Sequence, residues 1–208
     1  MTDALTTDLL HRCAFPPPGT AVDCACSGGA DSTALVLLAH AAGCRVTVWH
    51  VDHGLRADAA RAAAHVAELA AALGLPFERR DVALESGPNL EARAREARAA
   101  VLPADVMTGH TADDRAETIM INLLRGAGLD GLAAMGPSPR RPLLALRRHE
   151  TRALCAAAGR EVDEDPMNAD PRLVRNRVRH EVLPLMAAIA DRDVTPLLLR
   201  TADLAASE

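Results

Sequence analysis

Two stretches of this chain combine residue types and spacing that could do chemistry. The first is Ser27-Gly28-Gly29-Ala30-Asp31-Ser32, set between an apolar run at residues 21–26 and an apolar stretch of helical length at residues 33–40. Strand, glycine turn and helix together aim several backbone N–H groups at one anion. Gly28 and Gly29 permit a sharp turn and leave no Cβ between those amides and a phosphate. Ser27 and Ser32 add hydroxyl donors. Asp31 would repel a bare phosphate, and a magnesium ion between carboxylate and phosphate removes that objection. The plainer alternative is an ordinary strand-to-helix turn in which Asp31 complements the helix dipole. Neither a G-x-G-x-x-G pattern nor a terminal Gly-Lys-Ser/Thr is present. The chain has no lysine, so all 23 of its basic residues are arginine.

The second stretch is Thr108-Gly109-His110-Thr111-Ala112-Asp113-Asp114-Arg115-Ala116-Glu117-Thr118. On a helix Asp113 and Glu117 are four apart and Asp114 and Glu117 three apart, so their carboxylates gather over one turn. Three like charges there need something cationic between them, a metal ion or a cationic substrate. Thr111-x-x-Asp114 also resembles a capping box, and acids are welcome in a first helical turn. Capping explains Asp114 but not His110 or the Asp113–Glu117 pair.

Alternating strand and helix patterns supply the frame. Residues 45–51 are β-branched and read as a second strand, 57–73 as an alanine-rich helix stopped at Gly74, and 77–82 as a short strand. Residues 88–102 read as a helix, 105–109 as a short strand and 111–124 as a helix. This order predicts an α/β fold, a doubly wound, mostly parallel sheet with helices on both faces. Such sheets bind ligands at the carboxyl ends of their strands, where Ser27, Asp52-His53 and Gly109-His110 all fall. Pro137-Ser138-Pro139 marks a boundary between a domain at 1–136 and a helical segment at 137–208, with helices at 150–158 and 176–189.

The formal net charge of −5 does not suggest a nucleic-acid binder, but its distribution is uneven. Residues 140–180 carry ten arginines against six acids, a modest basic footprint for RNA or a solvated face of ion pairs. Arg172, Arg175 and Arg179 fall at i, i+3 and i+7, so a helix would present them on one side. The five cysteines show no C-x-x-C and read as buried thiols. No stretch is long and apolar enough to span a bilayer, and the N-terminus lacks a basic region followed by an apolar run. A cytoplasmic protein is expected.

S-G-G-x-D-S after a strand resembles the pyrophosphate loop of the N-type ATP pyrophosphatases. The order of this loop, then His50-Val51-Asp52-His53-Gly54-Leu55-Arg56, then the His110–Glu117 stretch, then Leu123-Leu124-Arg125-Gly126-Ala127-Gly128, then Arg141-Pro142-Leu143-Leu144, then Arg175-Asn176-Arg177-Val178-Arg179, is similar to the tRNA(Ile)-lysidine synthetase family within that PP-loop superfamily. The likeness covers most of residues 24–185. It implies adenylation of the wobble cytidine of a CAU-anticodon isoleucine tRNA by ATP with Mg2+, release of pyrophosphate, and displacement of AMP by the ε-amine of free lysine. It further implies ATP contacts at Ser27, Gly28, Gly29, Ala30, Asp31, Ser32, His53 and Gly109. Asp31 would hold the metal, and Asp113, Asp114 and Glu117 the lysine ammonium. His110, with Asp31, Asp113 and Asp114, would complete the catalytic set. tRNA contacts are implied at Arg95, Arg98, Arg172, Arg175, Arg177 and Arg179, and a homodimer is compatible with the likeness.

Three departures from the family pattern stand out. Arg115 replaces a glutamine and would place a cation beside the carboxylates. Ala99 replaces a tyrosine in the A-R-x-x-R-Y helix, here Ala94-Arg95-Glu96-Ala97-Arg98-Ala99. The chain stops soon after the R-N-R motif, where many members continue into further tRNA-binding domains. Other readings are an N-type ATP pyrophosphatase acting on a different tRNA base or small molecule, and a non-catalytic nucleotide- or RNA-binding relative.

Overall fold

A computed structural model of the chain describes residues 2–52, 59–82, 90–163 and 170–207. Three parallel strands form the sheet: β1 (Ala21–Ala25), β2 (Arg45–Asp52) and β3 (Phe77–Asp81), in the order β1-β2-β3. The register places Cys24 beside Val48 and Val48 beside Phe77. Alternation sends Val22 and Cys24 of β1 and Val46, Val48 and His50 of β2 to one buried face. Helix α1 (Thr2–Leu10), which no sequence signal marked, buries Leu9 against the helix after β1.

That helix, α2 (Ala30–Ala41), is apolar nearly all round, and Leu35, Val36 and Leu38 are fully buried. Helix α3 (Ala59–Ala72) buries Ala62, Ala63, Val66, Leu69 and Ala70, the i, i+3/i+4, i+7 stripe of an amphipathic helix. Both pack on the sheet, α2 against β1 and β2, α3 against β2 and β3. Each fully buried leucine or valine contributes about 1.5–3 kcal/mol relative to exposure.

Beyond α4 (Leu90–Val101) the chain returns to the other side of β1. The strand expected at 105–109 is reduced to one parallel bridge, Cys24 to Met107, with the Met107 amide on the Asp23 carbonyl at 2.8 Å. It ends there because the Thr108 amide turns to the Arg140 carbonyl instead, at 2.8 Å. Across the sheet the order is therefore β3, β2, β1, Met107. The winding reverses between β1 and Met107, which is the switch point where such sheets leave a crevice. Both sequence motifs begin there.

The remaining described elements are α5 (Ala112–Leu124), α6 (Leu129–Leu132), α7 (Arg148–Ala157), α8 (Val174–Arg177), a π-helical turn at Val178–Val182, α9 (Leu183–Ala190) and α10 (Thr195–Ala205). Leu143, Leu146, Leu154 and Cys155 enter the same buried cluster as β1 and α2, so the segment after Gly136 helps to build that core. The helix expected at 176–189 is divided by the π turn. Pro184 lacks an amide hydrogen and its ring crowds the carbonyl four residues back, and the wider turn just upstream absorbs the misfit. Among the described residues no helix is long and apolar enough to cross a membrane.

Candidate active site

At the carboxyl end of β1, Gly28 adopts φ +92°, a left-handed conformation that favours glycine. Gly29 is extended and caps α2, so the first-turn amides of α2 lie at the crevice without intrahelical carbonyl partners. The Ser32 hydroxyl organises the loop: it donates to the Gly29 carbonyl at 2.9 Å and accepts from the Ser27 amide at 3.1 Å. With that proton committed, Ser27 Oγ donates to Ser32 Oγ at 3.2 Å. The Asp163 amide holds the Gly28 carbonyl at 3.0 Å from outside. The result is an anion cradle with a fixed shape.

Gly109 brings the second motif against this loop. A Cβ on it would lie 2.5 Å from the Asp31 carbonyl oxygen and 3.0 Å from the Ser32 amide nitrogen, so only glycine permits the approach. His110 follows, its Nδ1 2.7 Å from Thr108 Oγ1. Thr108 Oγ1 also donates to the Arg140 carbonyl at 3.2 Å. The hydroxyl has one proton to share between these two contacts, and donation to the carbonyl corresponds to the His110 tautomer with Nδ1–H and a basic Nε2.

The Thr111 capping box and the charged cluster share Asp114, one oxygen each. Asp114 Oδ2 accepts from the amide and hydroxyl of Thr111, both at 2.9 Å, while Oδ1 faces Arg148 at 2.9 Å. Arg148 also reaches Glu117 Oε1 at 3.1 Å and Asp31 Oδ2 at 3.4 Å. Glu117 is 0% exposed and takes a second guanidinium, Arg179, on both oxygens at 2.7 and 3.1 Å. Arg175 lies 3.9 Å from both Asp114 and Glu117. Thr151 Oγ1 contacts Asp31 Oδ1. Asp113 sits beside this group rather than in it, holding the Arg147 guanidinium at 2.9 Å and the Arg148 amide at 2.7 Å.

These contacts set the electrostatics. Burial pushes the Asp31 carboxyl above its ordinary range, against the opposing pull of Thr151 and Arg148. Burial acts the same way on Asp114, but Arg148, Thr111 and His110 together outweigh it and hold that carboxyl below the ordinary range. Burial disfavours the Arg148 charge too, yet Asp114, Glu117 and Asp31 raise its pKa and keep it protonated.

The loop, His110, Asp114 and the arginines facing it line one cleft of about 770 Å³, together with Trp49, Val51 and Leu102, while Glu117 is buried behind them. Among the described residues no three His, Cys, Asp or Glu side chains are grouped to hold a metal by themselves. Asp31 offers one carboxylate beside the anion cradle, and Thr151 and Arg148 hold its two oxygens, so a magnesium ion there would replace the long Arg148 contact and take its other ligands from phosphate oxygens.

The expected RNA face is rearranged. Arg172 precedes α8, is 87% exposed and pairs with Asp170. Arg177 is exposed and pairs with Glu181. Arg175 and Arg179 turn inward to the carboxylates, so the three arginines at i, i+3 and i+7 do not share an outward side. Arg98 is exposed on α4 and borders the cleft. His53 and the Arg95 side chain lie outside the described residues. Arg115 departs from expectation: it leaves the carboxylate cluster and binds Asp203 of α10 at 2.6 Å. One residue from Asp114 is about 100° around a helix, which turns it away.

Sequence reasoning missed Arg148, Thr151 and Asp163. The signal for Arg148 was the unpaired charge of the acid cluster read with the arginine-rich segment after residue 140. Nothing local singled out Thr151 or Asp163.

Comparison with known proteins identifies the family. The PP-loop domain family matches residues 6–186. The chain is 44% identical to the tRNA(Ile)-lysidine synthase of Salinispora tropica over 215 residues, covering 92% of this chain and 64% of that protein. It is 42% identical to the Nocardia farcinica enzyme of the same name, covering 90% and 62%. The chain thus spans less than two thirds of the length of these curated relatives. Among solved structures, the U34-tRNA thiolase NcsA from Methanococcus maripaludis shares the fold, with a TM-score of 0.77 at 14% identity over 97% of this chain and 77% of that one.

Proposed function

This chain belongs to the PP-loop domain family, and from that premise we propose that it joins lysine to the wobble cytidine of the CAU-anticodon isoleucine tRNA. The observation that carries the reading is the meeting, at one cleft, of an anion cradle and a cation-binding acid cluster, Asp114 at the cleft wall with Glu117 buried behind it. In the first step the cytidine O2 attacks the α-phosphorus of ATP, the α–β bridging P–O bond breaks, and pyrophosphate leaves. In the second the lysine ε-amine attacks C2, loses a proton, and AMP departs with the C2–O2 bond broken.

The amides of the Ser27–Ser32 loop would stabilise charge gathering on the leaving pyrophosphate. A magnesium ion held by Asp31 and ATP oxygens would supply further positive charge there. Gly109 keeps the second motif close enough for one substrate to touch both. Asp114 and Glu117, with Asp113 steadying the arginines behind them, would orient the amine. It arrives protonated and must be neutral to attack, and Nε2 of His110 is the base assigned to that proton. Residues 1–136 would carry most of the ATP chemistry, with Arg148 and Thr151 reaching in from beyond that boundary. The rest of residues 137–208 would meet the tRNA together with α4, with Arg98, Arg172 and Arg177 toward phosphates and Arg175 and Arg179 lining the cleft.

Sulfur transfer, the chemistry named for the thiolase, is disfavoured by the cysteines. Burial pushes Cys13 and Cys155 up to about 12 and raises Cys24, Cys26 and Cys44 as well, so none is a ready thiolate. The test is product balance: pyrophosphate should appear with tRNA alone up to one equivalent per tRNA, free AMP only once lysine is added, and the two in equal amounts at full turnover. AMP formation that ignores lysine would transfer the site to another acceptor.

A further inference from the structure

The strongest unexplained feature of the cleft is that its acid cluster is already filled by the protein's own arginine. Arg148 contacts Asp31, Asp114 and Glu117 at once, at 3.4, 2.9 and 3.1 Å. Its backbone is pinned, because its amide donates to Asp113 at 2.7 Å, while its side chain borders the open cleft shared with the Ser27–Ser32 loop. The guanidinium can therefore move without the helix moving. If it leaves, Asp114 and Glu117 keep only Arg175 and Arg179 and the place of one guanidinium charge is vacated, which one ammonium can take. The anion cradle lies beside it, and a triphosphate there is a competing partner for a bidentate guanidinium.

We infer that Arg148 is a positioning residue that occupies the ammonium subsite until nucleotide draws it away, so that ATP and the amine bind in a coupled order. This rests on the lysine-ligase reading above. By linkage, nucleotide must tighten lysine binding and lysine must tighten nucleotide binding by the same factor. A cluster that merely needed a permanent cation would show neither effect, and removing Arg148 would loosen the amine rather than admit it.

The experiment is calorimetric titration of the full chain with L-lysine, with and without magnesium and the α,β-methylene analogue of ATP. The wild-type protein should bind lysine about tenfold more tightly with the analogue present. Arg148→Gln should bind lysine without nucleotide about as tightly as the wild type does with it, and the analogue should then add less than about twofold. Arg148→Lys restores a resident cation and should restore the nucleotide dependence. The wild-type arm needs no variant, so a poorly folded substitution does not rescue the idea. Lysine affinity indifferent to nucleotide in the wild type would overturn the inference and leave the ligase reading standing. So would an Arg148→Gln protein that folds, binds the analogue and binds lysine more weakly. Analogue binding with no lysine bound by any form, in any state, would end the ligase reading and this inference together.

Discussion

Arg179 holds both carboxylate oxygens of Glu117, at 2.7 and 3.1 Å, although the two residues are 62 positions apart. The pair joins the π turn to α5 and closes one side of the cleft. Glu117 has no access to water, so arginines take the place of solvent around its carboxylate. Arg179→Gln leaves it with Arg148 and the more distant Arg175. Breaking one partner of a buried pair typically costs about 3–5 kcal/mol, and because Arg148 remains the loss expected here is about 2–4 kcal/mol in urea unfolding. A loss near zero would return Arg179 to the solvent-facing role its spacing first suggested.

Gly109 gives a second prediction. Since a Cβ there would meet the Asp31 carbonyl at 2.5 Å, Gly109→Ala must push the histidine segment away from the loop. Stability should fall by about 1–3 kcal/mol, and ATP affinity should fall with it because Asp31 and Ser32 are the residues displaced. Thermal melting with and without the non-hydrolysable nucleotide checks both.

The two cleft carboxylates should respond oppositely to acid. The Asp114 carboxyl is depressed in the folded protein, so its contribution is present above the ordinary aspartate range and is lost as pH falls through the folded value. The Asp31 carboxyl is raised, so folding favours its protonated form and its ionisation destabilises the fold as pH rises through that region. Asp114→Asn should therefore flatten the acid-side loss of melting temperature, and Asp31→Asn should steepen it. At neutral pH Asp31→Asn should be as stable as the wild type or more so while losing turnover, the signature of a charge kept for chemistry.

Much of this was legible in the residues. β-branched residues 45–51 and the glycine turn after residues 21–26 marked strand and loop, because backbone sterics act locally. The acid triad on α5 was visible because its members share one helical turn. What was hidden depends on contacts between distant segments. Arg148 reads as one of many arginines until folding places it against Asp31, 117 residues away. The 105–109 strand shortens for a reason found only at Arg140. Arg175 and Arg179 have the spacing of an outward face, but the buried charge of Glu117 turns them inward.

Arg115 provides a control outside the cleft. It is buried against α10 through Asp203 and does not touch the acid cluster. Arg115→Gln, the residue common in the family pattern, should cost about 1 kcal/mol or less, because Asp203 is largely exposed. Turnover should be unchanged. A large change in turnover with intact stability would put Arg115 in communication with the site.

The most direct test of the central claim is transfer of radiolabelled lysine to tRNA by the purified chain with ATP and magnesium. An isoleucine transcript with a CAU anticodon and a methionine transcript with the same anticodon would be run in parallel. Label is expected at the wobble cytidine of the isoleucine transcript, abolished in Asp31→Ala. No label in either transcript, with ATP bound normally, would contradict it.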